Sequence, residues 1–400
     1  MAERDPWLTI VGIGEDGPGG LCAASRAALE AAAHVIGAPR QLALLPELTA
    51  TREPWPVPFA HGVERLLARR GRPTVMLASG DPFWFGAGGT VTALLARDEW
   101  VAHPARSTFA LAAARLGWRL EETACLGLHA ARPGRMRPLL APGERAIVLV
   151  RDGDAAAEMA RYLAAQGFGA SAVTVLEALG GARERVRTTA AAAWGLDDVA
   201  HPVALAIAVA GEGRVMPRAS GLADDWFAHD GQLTKRPQRA LALSALAPRA
   251  GELLWDIGAG SGSIAIEWLL AHPRTAAVAI ERDPVRAARA RANADSLGVD
   301  RLRLVVGAAP DALAGLPPPD AVFVGGGLCD ALLDYLFHSL PGGTRLVAHA
   351  VTLESEALLA ARHVQQGGAL LRVELAEAAA LGTRRGWRAS FPIVQWSVTL

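Results

Sequence analysis

Residues 253–263, LLWDIGAGSGS, constrain this chain more than any other segment. An apolar run ends in an acid, glycine then falls at Gly258, Gly260 and Gly262, and a helical pattern follows at once. That is the pattern of a strand-to-helix turn, and it commits its surroundings to an α/β fold with a parallel sheet. Alternating glycines place backbone N–H groups beside a ligand, because a Cβ would block the approach. A dinucleotide site requires G-x-G-x-x-G. Here the third position after Gly260 is Ser263, and Asp256 stands two residues before the first glycine. Both departures favour S-adenosylmethionine over a nicotinamide dinucleotide. The cofactor-binding candidates are Asp256, Gly258, Ala259, Gly260, Ser261 and Gly262. A glycine turn with no ligand is the bland alternative.

Residues downstream add to this reading. The run AVAIE ends in Glu281, nineteen residues past Gly262. An acid at about that distance accepts both hydroxyls of a nucleoside ribose. Alone, it would be a solvated strand end. A third strand over residues 303–306 leads into Gly307 and Ala308, small enough for an adenine ring to lie against the backbone. A fourth ends in Gly325, Gly326 and Gly327. Methyltransferases acting on flipped bases need an aromatic at that point to stack. Three glycines cannot stack, but they admit a flat, bulky substrate. Basic and acidic side chains balance at 40 each, so no basic field favours nucleic acid.

Short β-rich runs alternate with helical segments along the whole chain. In the first half, strands are predicted at residues 8–11, 74–78, 146–150, 173–175 and 203–209. Helices are predicted at 22–33, 63–70, 91–97, 109–116 and 155–166. A loop at 141–145 would divide two α/β lobes. Gly, Pro and Arg cluster at 211–221, marking a linker. Beyond it a helix at 239–246 precedes seven strands, at 252–257, 277–281, 303–306, 321–324, 344–348, 370–375 and 394–400. The domains are therefore 1–212 and 213–400.

Composition excludes several classes. Lys235 is the only lysine among 40 basic residues, which reflects genome composition first, although arginine also suits a polyacidic ligand. Three cysteines lie far apart and ten histidines are scattered, with no metal-ligand spacing, so no metal is expected. The start, MAERDPWLTIVGIG, lacks the basic and apolar regions of a signal peptide, and no apolar run reaches membrane-span length. The expectation is a cytoplasmic protein without membrane association.

The first half carries weaker motifs. Gly12 and Gly14 form a glycine turn after the first strand. Gly80, Asp81 and Pro82 make a tight turn that exposes backbone groups. Ser107 and Thr108 precede a helix, where either serves as an N-cap. Taken together, VGIGEDGPGG, SGDPFWFG, STFALAAARLGW and EALGG resemble the tetrapyrrole methylases of corrin biosynthesis. The second half is similar to the class I corrin methyltransferases through Thr234-Lys235, WDIGAGSGSIAIEW, AVFVGGG and AVTLE. Both halves in this order resemble the two-domain, decarboxylating corrin methyltransferases.

That resemblance implies a bilobal tetrapyrrole-methylase domain followed by a Rossmann-like, seven-stranded class I methyltransferase domain. It implies one S-adenosylmethionine site in each, with Gly80, Asp81, Pro82, Ser107 and Thr108 in the first. The second would use Thr234, the glycine loop, Glu281 and Ala308. Gly12 and Gly14 would face the tetrapyrrole, as would Gly325, Gly326 and Gly327. The implied reaction methylates carbons 5 and 15 of a precorrin macrocycle and removes carbon dioxide from the ring-C acetate. Family members of both halves tend to be oligomeric, so a homo-oligomer is expected. At His349 the family pattern leads one to expect Asn or Thr. No residue stands out as a catalytic acid or base. The alternative is a methyltransferase of another small substrate with a non-catalytic, tetrapyrrole-binding first domain.

Overall fold

A computed structural model describes residues 6–400; the charged start at residues 1–5 lies outside it. The chain divides into two compact units, one running to Arg214 apart from Gly134–Leu139, the other holding that short segment and Val215–Leu400.

The first unit contains two five-stranded sheets. In the first, β1 (Leu8–Ile13), β2 (His34–Gly37), β3 (Thr51–Pro54), β4 (Thr74–Ser79) and β5 (Trp100–His103) lie in the order β3-β2-β4-β1-β5. All of its pairings are parallel. Parallel strands need crossovers, which put apolar helices on both faces. Val11 and Ile13 accordingly pack with Leu29 on one face, and Leu8 and Ile10 with Leu66 and Val91 on the other.

The second sheet holds β6 (Ala124–Gly127), β7 (Arg145–Leu149), β8 (Ala172–Glu177), β9 (Arg185–Ala190) and β10 (Val203–Ala208), in the order β6-β7-β10-β8-β9. The helix Thr108–Leu116 packs on this sheet, with Phe109 and Ala112 against Ile147, Leu176 and Ala204. The change of sheet therefore falls upstream of β6, not at residues 141–145 as the loop there suggested. β6 was missed because ACLG is too short to show alternation. The helix expected at 91–97 is also corrected, since it spans only Gly88–Thr92.

The second unit is a seven-stranded sheet. Its strands are β11 (Leu253–Ile257), β12 (Ala276–Glu281), β13 (Arg303–Val306), β14 (Ala321–Val324), β15 (Arg345–Ala350), β16 (Ala369–Val373) and, after the hairpin β17 (Ala376–Leu381) and β18 (Arg384–Ala389), β19 (Ile393–Thr399). They lie in the order β13-β12-β11-β14-β15-β19-β16, with β19 antiparallel to both neighbours. Leu254 enters one core with Trp268 and Phe323, while Trp255 and Ile257 enter the other with Trp396. Strand order reverses at β11, so the crevice beyond the carboxyl ends of β11 and β14 is where such a sheet binds ligands.

Candidate cofactor and substrate sites

At that crevice the turn after β11 is built on left-handed glycines. Gly258, Gly260 and Gly262 have φ of +72°, +56° and +77°, values that a Cβ penalises. Gly258 is also a point of close approach, since a Cβ there would meet Gly326 N at 2.6 Å. The turn after β11 and the glycine run after β14 therefore touch through their backbones. Gly260 differs from both. The nearest atom to its Cβ position is Gln232 O at 4.0 Å, so this face is open.

The turn does not present a row of free N–H donors, which corrects the expectation from sequence. Gly258 and Ala259 donate to Ile280 O at 2.9 and 3.2 Å, Gly262 donates to Ala259 O at 2.8 Å, and Gly260 donates to Glu281 Oε2 at 2.8 Å. The glycines act here by removing bulk. Glu281 is buried and also accepts from Asp283 N at 2.9 Å through Oε1. A carboxylate has about four acceptor positions, so two remain for ligand hydroxyls.

Asp256 sits beneath the turn rather than on it. It is 1% exposed, and its Oδ2 accepts from Ala265 N at 3.0 Å inside the first turn of the helix Ser263–Ala271. Burial pushes its carboxyl up to about 7, against the Ala265 hydrogen bond and with help from the Glu281 charge. It holds the helix under the glycine turn and is not placed to touch a ligand.

The residues that fix this site from outside the motif were not found in the sequence. Asn293 donates to Ser261 O at 2.9 Å and to Ala228 O at 3.0 Å, and accepts from Ala228 N at 2.9 Å. Arg239 is fully buried. It donates to Glu267 Oε1 at 2.5 Å, to Asp224 at 3.2 Å, and to the carbonyls of Leu222 and Thr234. Thr234 is thereby held half-buried near the site. The signal was present in SIAIEWLLA, where Glu267 is the one acid on an otherwise apolar helix. Ala308 is exposed in the turn after β13, and Gly307 N donates to Glu281 O at 3.0 Å. His349 pairs with Gln395 Oε1 at 2.9 Å and meets the Phe323 ring edge-on, and burial pushes its imidazole below the usual value.

In the first unit a cleft of about 260 Å³ is lined by Gly14, Glu15, Arg40, Gly80, Thr108 and His201, among others. Gly80 has φ +58°, and its Cβ position lies 3.0 Å from Arg106 O and 3.2 Å from Ser107 Cα. The Gly-Asp-Pro turn is thus pressed onto the loop that carries Ser107 and Thr108. Asp81 Oδ1 accepts from Phe83 N at 2.8 Å, closing the turn over Pro82. Ser107 caps the helix Thr108–Leu116 by accepting from Ala110 N at 3.1 Å, the N-cap role its place before the helix suggested. One expectation changes. Gly12 is buried away from the cleft, and a Cβ there would stand 2.1 Å from Gly80 O.

Two α/β units, each with a glycine turn at a strand end beside an open crevice, define a methyltransferase with two candidate donor sites. Residues 7–193 match the family described as Tetrapyrrole (Corrin/Porphyrin) Methylases, and residues 225–400 match the Precorrin methyltransferase domain. A Sinorhizobium protein, precorrin-6Y C(5,15)-methyltransferase [decarboxylating], is 48% identical over 98% of this chain and 96% of its own. The chain belongs to this family of decarboxylating precorrin-6Y methyltransferases. A shorter relative from Pyrobaculum calidifontis, a probable cobalt-precorrin-6B C(15)-methyltransferase (decarboxylating), is 38% identical over 34% of this chain and 72% of its own. The solved C-terminal domain of precorrin-6Y C5,15-methyltransferase from Rhodobacter capsulatus is 53% identical over 46% of this chain and all of that domain, with a TM-score of 0.45. Among the described residues no helix is long and apolar enough to cross a membrane, and no group of three metal-ligating side chains converges.

Proposed function

We propose that each unit binds one S-adenosylmethionine, and that the two methylations of a precorrin macrocycle are divided between them. The enzyme is a decarboxylating C-methyltransferase of a tetrapyrrole precursor. In this proposal the second unit methylates carbon 15 and hosts the decarboxylation, while the first methylates carbon 5. The observation that carries the reading is the match along nearly the whole chain to an enzyme named for both carbons. That a shorter relative is named for carbon 15 and decarboxylation together supports placing those two steps in one unit.

The second unit fits an adenosyl ligand by shape. Gly260 leaves an open face, Glu281 has acceptor capacity beside it, and Gly326 and Gly327 keep bulk away from the crevice. Adenosylmethionine supplies an electrophilic methyl group when bound. The protein's task is then to align it with an electron-rich ring carbon and to exclude water, which is worth several powers of ten. The electron pair released by decarboxylation passes into the conjugated macrocycle, so no strong acid or base is required for that step. Assembly as a homo-oligomer is part of the proposal, with light scattering as its check.

Calorimetry with S-adenosylhomocysteine tests the count of sites. Two bound per chain supports the reading; one bound per chain removes the donor site from one unit. The variant Gly260→Arg, which fills the open face, tests the division of labour. Its product should carry one added methyl and keep its acetate carboxyl by mass spectrometry. Loss of carbon dioxide in that variant would move decarboxylation out of the second unit.

A further inference from the structure

In the first unit two arginines share one acid. Glu15, in the turn after β1, has a side chain only 8% exposed, and pairs with both Arg40 and, at 3.4 Å, Arg183. Arg40 also donates to Ser79 Oγ at 3.0 Å, and the same hydroxyl accepts from Gln41 Nε2 at 3.0 Å. Ser79 directly precedes Gly80, so Arg40 is fixed beside the Gly-Asp-Pro turn. Of its five N–H donors, these contacts leave several free, and its side chain is 27% exposed to the cleft.

The surrounding charges do not balance. Arg106 pairs one to one with Asp16. His201 lines the cleft and is pushed below its usual value by burial, then by Arg40 and Arg183, against Asp152. Asp152 is itself paired with Arg151 at 2.7 Å. Three guanidiniums thus face two carboxylates, and one positive charge is left over beside a cavity. A planar guanidinium with free N–H groups is the geometry that grips a carboxylate through two bonds.

We propose that Arg40, in the first unit's cleft, and Arg183, which shares Glu15 with it and lines the adjoining hollow beside His201, together receive a peripheral carboxylate of the tetrapyrrole. Glu15 is then a positioning residue that keeps the two forks apart and aimed. The proposal rests on the reading of this cleft as a methylation site.

The test uses the full-length protein with uroporphyrin III, a polycarboxylate tetrapyrrole, followed by fluorescence quenching, and S-adenosylhomocysteine calorimetry in parallel. Arg40→Met and Arg183→Met should each weaken the probe at least about tenfold, the scale of a lost charge-assisted bond, while the count of bound S-adenosylhomocysteine stays as in the wild type. Arg40→Lys should recover part of the loss. Glu15→Gln loses the charge that aims both forks and should weaken the probe several-fold, while Glu15→Asp, which keeps the charge, should recover part of the loss. Unchanged probe binding in both methionine variants, with S-adenosylhomocysteine still bound, would overturn the proposal and leave the methylation reading intact. If instead the first unit binds no S-adenosylhomocysteine but the methionine variants still lose the probe, the carboxylate site stands and the methylation reading fails.

Discussion

The main-chain N–H of Gly260 donates to Glu281 Oε2 at 2.8 Å, so the turn after β11 and the acid ending β12 form one hydrogen-bonded unit. The same carboxylate holds Asp283 N, and with it the start of the helix Pro284–Ser296. Glu281→Ala removes both bonds along with the free acceptor positions. Affinity for S-adenosylhomocysteine in the second unit should fall at least about tenfold, or ~1.4 kcal/mol. Glu281→Gln keeps one acceptor oxygen and should fall between. Calorimetry reads both, and wild-type affinity in the alanine variant would remove Glu281 from the site.

Asp256 gives the second unit a pH signature. Burial raises its carboxyl to about 7, against ~3.9 in an unfolded chain. Between those values the native state holds a proton that the unfolded state has lost. Its contribution to stability is therefore fully present below about pH 4 and is lost as the pH rises through about 7. Asp256→Asn cannot titrate, yet its amide oxygen can still accept from Ala265. The variant should lose this slope and exceed the wild type at pH 8 by roughly 4 kcal/mol. Urea midpoints across pH 4 to 8 check this. Parallel curves for the two proteins would mean that Asp256 is ionised throughout.

The second unit was more legible in the sequence than the first, for a physical reason. Its strands are flanked by helices and glycine turns whose patterns reinforce one another, so all seven strands of the sheet and the turn after β11 fall where the motif places them. The hairpin of β17 and β18 escaped, because its alternation carries alanine and arginine rather than core residues, and almost all of it is exposed. In the first unit β2, β3, β5 and β6 are only four residues long, too short for a period to show. Motif reading also names the glycines without saying what each does. Gly260 leaves an open face, Gly258 admits Gly326, and Gly12 admits Gly80. Arg239 and Asn293 went unseen because their partners lie 28 and 32 residues away.

Gly12 and Gly14 look equivalent in sequence and are not. A Cβ at Gly12 would lie 2.1 Å from Gly80 O and 2.4 Å from Ala105 N, both backbone atoms that cannot step aside. At Gly14 the nearest obstacle is the tip of the Asp16 side chain at 2.6 Å, which can swing away. Gly12→Ala should destabilise the protein by at least ~2 kcal/mol, and Gly14→Ala by less than ~1 kcal/mol. Equal losses in thermal unfolding would show that the contact between β1 and the Gly-Asp-Pro turn is not as tight as described.

The buried pair of Arg239 and Glu267 has two separable effects. Glu267 accepts from Gly221 N at 2.6 Å and Leu222 N at 3.0 Å, while Arg239 binds the carbonyls of Leu222 and Thr234. The pair thereby fastens the segment that leads to Thr234. Glu267→Ala leaves the buried Arg239 cation with only Asp224, at 3.2 Å, as its counter-charge and should cost up to about 3–5 kcal/mol. Replacing both partners, as in Arg239→Met with Glu267→Leu, removes the stranded charge and should restore much of that stability. It cannot restore the hydrogen bonds to residues 221, 222 and 234. The double variant should therefore unfold near the wild-type urea midpoint yet bind S-adenosylhomocysteine more weakly in the second unit. Wild-type affinity in the double variant would show that the pair serves folding alone.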